Sequence, residues 1–249
     1  MAGHSKWAQI KRKKAVNDNK RGQHFTKLIR AITVAARSGG GDPSMNPRLR
    51  LAVDTAKAAS MPADNIERAV KKGTGELEGV EYQEVTYEGY GPGGTALLIE
   101  TMTDNPTRTV NEIRFVFSRN HGNLGTSGSV AWQFERQGQV FVAAHRYDED
   151  SALMAALEAG ATDLRKEGEA YVVSTDLPTF GAVQEGLKAA GIEIESAELA
   201  MVPRNTVAVA GEEARKLIKL MDALDDLDDV QKVYANADID EAAFAEAGA

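Results

Sequence analysis

The sequence predicts an α+β protein, because two kinds of pattern follow each other along the chain. Apolar residues recur at helical spacing through the first quarter, up to about residue 75. After the glycine-rich segment 73–79, β-rich runs and helical patterns alternate, with turn residues between them. This order favours small antiparallel sheets covered by helices over one doubly wound sheet. Because 249 residues exceed the usual size of a single core, we expect more than one domain.

The first quarter predicts a small domain of three helices. The first helix covers about 20–37 and ends at the run SGGG, since glycine commonly follows the last turn of a helix. The second follows Asn46, with Pro47 in its first turn, where proline is well tolerated. The third begins near Pro62 and ends at Gly73. The connections are short, so the three helices should pack together.

The apolar stripe of the first helix indicates which way its cations point. The stripe recurs at helical spacing and consists of Phe25, Leu28, Ile29, Ile32 and Ala36. Four basic residues project to the other side of the helix: Lys20, Lys27, Arg30 and Arg37. We therefore expect one face to pack and the other to present positive charge.

The middle of the chain predicts a hairpin and a helix. Two β-rich runs flank GPGG at 91–94, which indicates an antiparallel hairpin with an enlarged turn. Val110, Ile113 and Phe117 lie at helical spacing before Gly122. We expect a short strand at 129–134 to follow.

The C-terminal half predicts further strands and helices in alternation. Gly138 separates two strand-like runs and predicts a second hairpin-like break. Beyond it we expect helices at about 148–159, 178–190 and 212–224, with strands at the runs AYVVS, AELAMV and VQKVYA. The predicted packing is two small domains of sheet and helix.

The charge of the chain is divided sharply. The formal net charge is −8, yet residues 1–75 hold 16 Lys and Arg against 5 Asp and Glu, a net of +11. The remainder holds 13 Lys and Arg against 32 Asp and Glu, a net of −19. Such asymmetry is typical of a polyanion-binding segment attached to another module.

The basic segment GHSKWAQIKRKKA at 3–15 is the densest cationic cluster. We predict that its cations and those of the first helix contact nucleic acid: Lys6, Lys11, Arg12, Lys13, Lys14, Lys20, Arg21, Lys27 and Arg30. Trp7 lies among them and could stack on an unpaired base or a ribose. The alternative is that Trp7 anchors the segment on the helical core while the lysines form a solvated face. Cations of this kind position a protein on a phosphate backbone without specifying a base sequence.

Three other segments have plainer interpretations. The run YGPGGT lacks the spacing of a phosphate-binding loop and precedes a strand, so we expect a hairpin turn. The run HGNLGTSGS at 121–129 is expected to be a helix stop and loop, with anion binding by its N–H groups as the alternative. The acidic run DALDDLDDV at 222–230 lacks calcium-loop spacing, so we expect a solvated helix end and turn.

The composition disfavours several function classes. The chain contains no cysteine, and no metal-binding or nucleophile motif is recognisable, so we expect neither an enzyme nor a cofactor. No apolar run approaches the length of a membrane helix, and the N-terminus lacks a signal-peptide core. The sequence therefore predicts a cytoplasmic protein that does not contact a membrane.

Five separated motifs resemble the YebC family, which includes the mitochondrial translational activator of cytochrome oxidase. The resemblance is carried by AGHSKWAQIKRKKA with KRGQHFTKLIRAI, by NPRLRLAVDTAKAASMPADNIERAVKKG, by YEGYGPGG, by TDNPTRTVNEIRFVFSRN and by GNLGTSGSVAWQF. They occur in the order of the family and are densest between residues 2 and 134. The C-terminal third matches mainly in the order of its elements.

The resemblance implies a fold and a function. It implies an N-terminal three-helix domain at 1–75 and two ferredoxin-like α+β domains, the third domain (135–204) inserted in the second (80–134 with 205–249). It also implies a DNA-binding transcriptional regulator. The alternative is a ribosome-associated translation factor that binds ribosomal RNA and ribosomal proteins. A ligand-binding module or an enzyme is a third hypothesis, which only fold analogy favours.

Overall fold

A computed structural model describes residues 18–239 and Ala243, with side chains from residue 22 onward. Within these residues the helices are α1 (Asp18–Gly39), α2 (Pro47–Ala58), α3 (Ala63–Thr74), α4 (Pro106–Arg119), α5 (Glu149–Glu158), α6 (Phe180–Ala189) and α7 (Gly211–Asp225). The strands are β1 (Gln83–Gly91), β2 (Thr95–Thr103), β3 (Asn123–Leu124), β4 (Phe134–Ala143), β5 (Asp163–Glu167), β6 (Ala170–Thr175), β7 (Ser196–Pro203), β8 (Val207–Val209), β9 (Val230–Ala235) and β10 (Ala237–Ile239). The predicted α+β class is confirmed.

The three N-terminal helices form a small bundle around one apolar core. α1 packs against both α2 and α3, and Ile32, Leu49 and Ala56 are fully buried between them. Asn46 caps α2, because its side-chain oxygen accepts the N–H of Leu49 at 3.0 Å. Its amide also donates to the carbonyl of Ala35 at 2.8 Å, which fixes the α1–α2 connection. The predicted helices are confirmed, with boundaries shifted by one or two residues.

The first sheet has the strand order β3-β1-β2-β9, and all of its pairs are antiparallel. The predicted hairpin is confirmed: β1 and β2 pair from Gly91↔Thr95 outward, and Gly93 and Gly94 both take a φ of 72° in the turn. α4 and α7 cover one face of the sheet, where Leu97, Ile99 and Phe117 are buried. β8 and β10, which precede and follow β9 along the chain, form a separate short parallel pair.

The second sheet lies wholly between residues 134 and 203. Its elements follow the order β4-α5-β5-β6-α6-β7, and its strands are arranged β5-β6-β4-β7 with antiparallel pairing throughout. This is the ferredoxin-like arrangement. The first sheet combines strands from before and after this segment, which supports the insertion that the family resemblance implies. The residue boundaries of the three domains remain our proposal.

An apolar cluster joins the two sheets. The face of the first sheet that is not covered by helices contributes Ala96, Leu98 and Tyr234, and these pack with Phe134 and Ala200. Ion pairs border the cluster, with Lys232 Nζ 2.8 Å from Glu198 and Arg136 paired with Glu100. Burial of these side chains favours close contact between the sheets.

Two local predictions are wrong, and both errors have a packing cause. The expected strand at 129–134 is a bend followed by a short 3₁₀ turn at Ala131–Gln133, because Glu88 binds the backbone there. Gly138 does not break the chain but lies inside the continuous strand β4. A Cβ at Gly138 would stand 2.6 Å from Thr175 Cγ2 and would overlap the ring of Phe180. Glycine therefore serves there to admit a side chain from α6.

Some strands were not predicted from the sequence. β5 has the sequence DLRKE, in which charged residues hide the alternation expected of a strand. It lies at the edge of the second sheet, where charged residues are commonly found. β3 has only two residues and is defined by its pairing with β1 alone.

No helix within the described part of the chain is long and apolar enough to cross a membrane. The longest of these helices, α1, carries charged residues along its length.

We expect Gly138→Val to destabilise the protein, because the added side chain collides with Phe180 and Thr175 in a closely packed sheet. Overpacking of this kind costs about 1–3 kcal/mol of unfolding free energy, measurable by chemical denaturation. The matched control is Gly181→Ala in α6, where no heavy atom lies within 4 Å of the added carbon. That change should be neutral or slightly stabilising, because alanine is the better helix former. Equal stability of Gly138→Val and the parent would contradict the proposed close approach.

Candidate nucleic-acid interface

The residues predicted to contact nucleic acid fall into three groups. Lys6, Trp7, Lys11, Arg12, Lys13 and Lys14 lie outside the described residues. Lys20 and Arg21 belong to α1, but their side chains are not described. Lys27 and Arg30 are described, and their positions differ from the prediction.

Lys27 and Arg30 turn toward the second domain rather than toward solvent. Lys27 Nζ donates to the carbonyl of Asp225 at 2.6 Å and lies 3.3 Å from its Oδ1. Arg30 Nη1 donates to Asp229 Oδ1 at 2.7 Å and also contacts the carbonyl of Asp228. The two basic side chains are only 15% and 11% exposed. Their partners form the acidic turn, residues 225–229, which joins α7 to β9.

Asp229 is the centre of this contact. Its side chain is 2% exposed and accepts hydrogen bonds from Arg30, Arg108, Thr103 and Thr109. The Thr109 and Arg108 contacts are 2.6 and 2.7 Å long. A carboxylate removed from water this completely is stable only because both of its oxygens accept hydrogen bonds, Oδ1 from Arg30 and Oδ2 from the other three donors.

The hydrogen bonds keep Asp229 ionised. Burial by itself raises the pKa of this carboxyl group, whereas the donors Thr109, Arg108 and Thr103 and the charge of Arg30 lower it. The donors prevail, so the pKa of Asp229 lies below the usual aspartate value. The positive charge of Arg30 is thus matched by a full negative charge.

The acidic run is therefore not simply a solvated helix end, as its sequence suggested. Its place at the end of α7 is confirmed, but Asp229 is buried and Asp225 binds Lys27. Helical periodicity places Lys27 and Arg30 on the face opposite the core of the bundle, but it does not say what covers that face. The partners lie 198 and 199 residues away along the chain, beyond any local pattern.

Two more cations of the helical domain pair with acids at the start of β1, Glu81 just before the strand and Glu84 within it. Arg37 pairs with Glu81, and Arg48 Nη1 donates to Glu84 Oε2 at 3.0 Å. The guanidinium of Arg30 also lies 5.2 Å from the centre of the Tyr82 ring. These exposed pairs contribute little stability one by one, but they neutralise cations that a charge count treats as free.

Other cations of the bundle do face solvent. Four exposed residues on α2 and α3 make no ion pair with any residue the structure describes: Arg50, Lys57, Arg68 and Lys72. The members of each helix lie seven or four residues apart, so each pair shares one side of its helix. The sequence prediction omitted them because it concentrated on the dense basic segment and α1. Their spacing against the buried residues Leu49, Val53 and Ile66 was the available signal.

The glycine-rich loop does bind an anion, and the anion belongs to the chain itself. The carboxylate of Glu88 accepts the N–H groups of Gly128, Val130 and Ala131 at 2.6–2.7 Å. Burial raises the pKa of Glu88, but the three N–H groups lower it by more than burial raises it. The pKa therefore lies below the usual glutamate value, and the group stays ionised. The alternative interpretation was that N–H groups of 121–129 bind an external anion. The N–H of Gly128 in this segment instead binds the carboxylate of Glu88.

Among the described residues, no three histidine, aspartate or glutamate side chains converge in a way that could hold a metal ion.

We expect Asp229→Asn to lower the unfolding free energy at neutral pH by about 3 kcal/mol, because the substitution leaves Arg30 and Arg108 without their buried counter-charge. Chemical denaturation measures the loss. Asp54→Asn, on the exposed side of α2, is the control and should stay within about 0.5 kcal/mol of the parent. Similar small effects for both variants would contradict the role of Asp229.

The same interaction predicts a pH dependence. Because the pKa of Asp229 is lowered in the folded state, its stabilising contribution is complete above the usual aspartate pKa of 3.8 and is lost as the pH falls below it. The stability difference between the parent and Asp229→Asn should therefore shrink in acid. Urea denaturation at a series of pH values from neutral to acid tests this. A difference that stays constant over the whole range would argue against it.

Comparisons with known proteins cover nearly the whole chain. Residues 5–76 match the family model described as "TACO1/YebC protein N-terminal domain", and residues 82–237 match "TACO1/YebC second and third domain". A "Probable transcriptional regulatory protein" of Gemmatimonas aurantiaca is 60% identical over 247 residues, which cover 99% of this chain and 100% of the relative. A protein of the same name from Acidithiobacillus ferrooxidans is 59% identical over 239 residues, covering 96% of this chain and 95% of the relative.

A solved structure agrees with the fold. The crystal structure of a conserved hypothetical protein from Aquifex aeolicus is 48% identical, with a TM-score of 0.83, and the match covers 90% of this chain and 93% of that one. The resemblance noted from the five sequence motifs is confirmed. With both family models matched and relatives aligned end to end, the chain belongs to the TACO1/YebC family.

Proposed function

We propose that this protein is a DNA-binding regulator of transcription that acts in the cytoplasm through binding rather than catalysis. The observation that carries the proposal is the net charge of +11 over residues 1–75 against −19 over the remainder. A cationic module on an acidic body suits a polyanionic partner. The names of the relatives, probable transcriptional regulatory proteins, support a role in transcription.

The contacts are proposed to come from two parts of the N-terminal domain. The basic segment supplies Lys6, Lys11, Arg12, Lys13 and Lys14 with Trp7, and the start of α1 supplies Lys20 and Arg21. The exposed cations of α2 and α3 are proposed to contribute as well: Arg50, Lys57, Arg68 and Lys72. Lys27 and Arg30 are left out because they already bind the acidic turn.

The acidic turn also bears on how a phosphate backbone could approach α1. Unpaired, the aspartates at 225–229 would repel phosphates near this helix. Lys27 binds Asp225, while Arg30 and Arg108 bind Asp229, so two of these carboxylates are neutralised in place. The internal pairs thus reduce the repulsion that phosphates would meet near α1.

We expect the combined replacement of Lys11, Arg12, Lys13 and Lys14 by Ala to weaken binding to duplex DNA and to flatten its salt dependence. Each lost phosphate contact lowers the slope of log affinity against log salt by about 0.9, so four contacts change it by roughly 3–4. Fluorescence anisotropy with a labelled duplex, measured over a range of salt concentrations, gives the slope.

The control removes four cations from the other domains. Arg114, Lys166, Lys188 and Lys219 are exposed, and their replacement by Ala changes the net charge by the same amount. This variant should keep the parent slope. An unchanged slope in the first variant, or equal losses in both, would overturn the role of the basic segment. Tighter binding of the parent to folded ribosomal RNA than to duplex DNA at the same salt would overturn DNA as the partner.

A further inference from the structure

Two exposed aromatic side chains lie side by side on the second domain. Trp132 is 67% exposed and Tyr90 is 41% exposed. Trp132 Nε1 and the hydroxyl of Tyr90 both donate to the carbonyl of Ser129, at 3.1 and 3.0 Å. Because their polar atoms meet at one acceptor, the two exposed side chains are neighbours, and we name this pair the aromatic platform.

The shared carbonyl is held firmly in place. Glu88 accepts the N–H groups of Val130 and Ala131, just after Ser129, and that of Gly128, just before it. Glu88 is 5% exposed, and its own carbonyl accepts the N–H of Gly125 at 2.8 Å. The loop that carries the acceptor is therefore fixed at several points, which limits the freedom of both rings before any partner binds.

The chemistry left to these rings is stacking. The indole N–H and the phenol hydroxyl already have an acceptor inside the protein. What the platform offers to solvent is π surface, which attracts other flat rings without reading their hydrogen-bonding edges. Tryptophan and tyrosine are enriched at interfaces, because each combines a large apolar ring with one polar group.

The charges near the aromatic platform favour a polyanionic partner. Segments 89–99 and 120–134, which carry the two rings, contain no Asp, Glu, Lys or Arg, although the chain after residue 75 holds 32 acidic residues. The backbone N–H of Arg204 donates to the carbonyl of Gln133 at 2.8 Å, so this exposed cation, just after β7, is joined through its backbone to the residue following Trp132. Its guanidinium is only loosely paired, 3.9 Å from Glu135. Two acidic side chains lie near these segments, Glu135 and Glu213, the second of which accepts the N–H of Gly93 at 3.2 Å. A polyanion that approaches the rings thus meets less repulsion from the two segments themselves than from the rest of this acidic region.

We propose that the aromatic platform binds unpaired bases of single-stranded nucleic acid by stacking. This site goes beyond the proposed function, in which the N-terminal domain contacts only a phosphate backbone. The bases of a melted or looped strand would stack on Trp132 and Tyr90 while Arg204 faces a neighbouring phosphate. Such binding tolerates many sequences, since every base has a π face.

The first test measures the affinity of the full chain for single-stranded oligouridylate and oligothymidylate of about 12 nucleotides. Trp132→Ala should weaken binding about 10-fold or more, and Trp132→Phe should retain most of it, because phenylalanine still stacks. The salt slope should not change, since stacking releases no counterions. The comparison of the two strands distinguishes RNA from DNA as the source of the bases.

Phe115→Ala is the matched control. Phe115 is 60% exposed on α4 and lies near Arg119, so it resembles Trp132 in exposure and in its nearby cation. Its removal should leave the affinity unchanged. An equal loss in both variants, or full affinity in Trp132→Ala with parental thermal stability, would overturn the platform.

The second test uses tryptophan fluorescence. The chain contains two tryptophans, so Trp7→Phe leaves Trp132 as the single reporter. Saturating oligouridylate should quench this emission, whereas an abasic strand with the same number of phosphates should not. Equal responses to the two strands would contradict base stacking.

The outcomes separate this site from the basic segment. If the platform does not bind bases, Trp132→Ala binds single strands with parental affinity. The combined variant of Lys11, Arg12, Lys13 and Lys14 still shows a weaker salt dependence on duplex DNA. If the basic segment fails, its variants keep the parent slope while Trp132→Ala still loses single-strand affinity. Each result therefore contradicts one proposal and not the other.

Discussion

The buried carboxylate of Asp229 is the constraint on which the arrangement of the N-terminal domain depends. A negative charge that is 2% exposed must be surrounded by donors, and here the donors come from α1, from the end of β2 and from α4. Removing a charged partner from a buried ion pair is strongly destabilising. Helix α1 therefore has few alternative positions against the second domain, and Lys27 with Asp225 reinforces the same contact.

This arrangement changes the meaning of the charge count. The figures of +11 and −19 treat every ionised side chain as free in water, yet Lys27, Arg30, Arg37 and Arg48 each pair with an acid of the second domain. Part of the positive charge of the bundle is thus used in contacts between the bundle and the second domain. Within the part of the bundle whose side chains are described, the cations that make no ion pair lie on the outer sides of α2 and α3. The division of charge still favours a polyanion, but over a smaller surface than the sequence suggests.

Asp229 and Glu88 are both buried carboxylates that accept several hydrogen bonds. In each case a carboxylate inside the chain gathers donors from segments that are distant in sequence, and the segments then take a fixed shape. At Asp229 the result is a domain contact. At Glu88 it is a rigid loop whose carbonyl at Ser129 orients Trp132 and Tyr90. A glycine-rich loop that looks like a ligand-binding site can thus serve to position side chains.

The sequence by itself determined the α+β class, the three N-terminal helices, the hairpin at 91–94 and the division of charge, because each of these depends on residues that are close together in the chain. Tertiary structure alone decided that Arg30 binds Asp229, that Gly138 admits Phe180, and that Trp132 stays exposed. Periodicity tells which side of an element is apolar. It does not tell which partner covers the other side when that partner lies 199 residues away. Burial and pairing of charge are properties of the assembled fold, so they could not be read from local spacing.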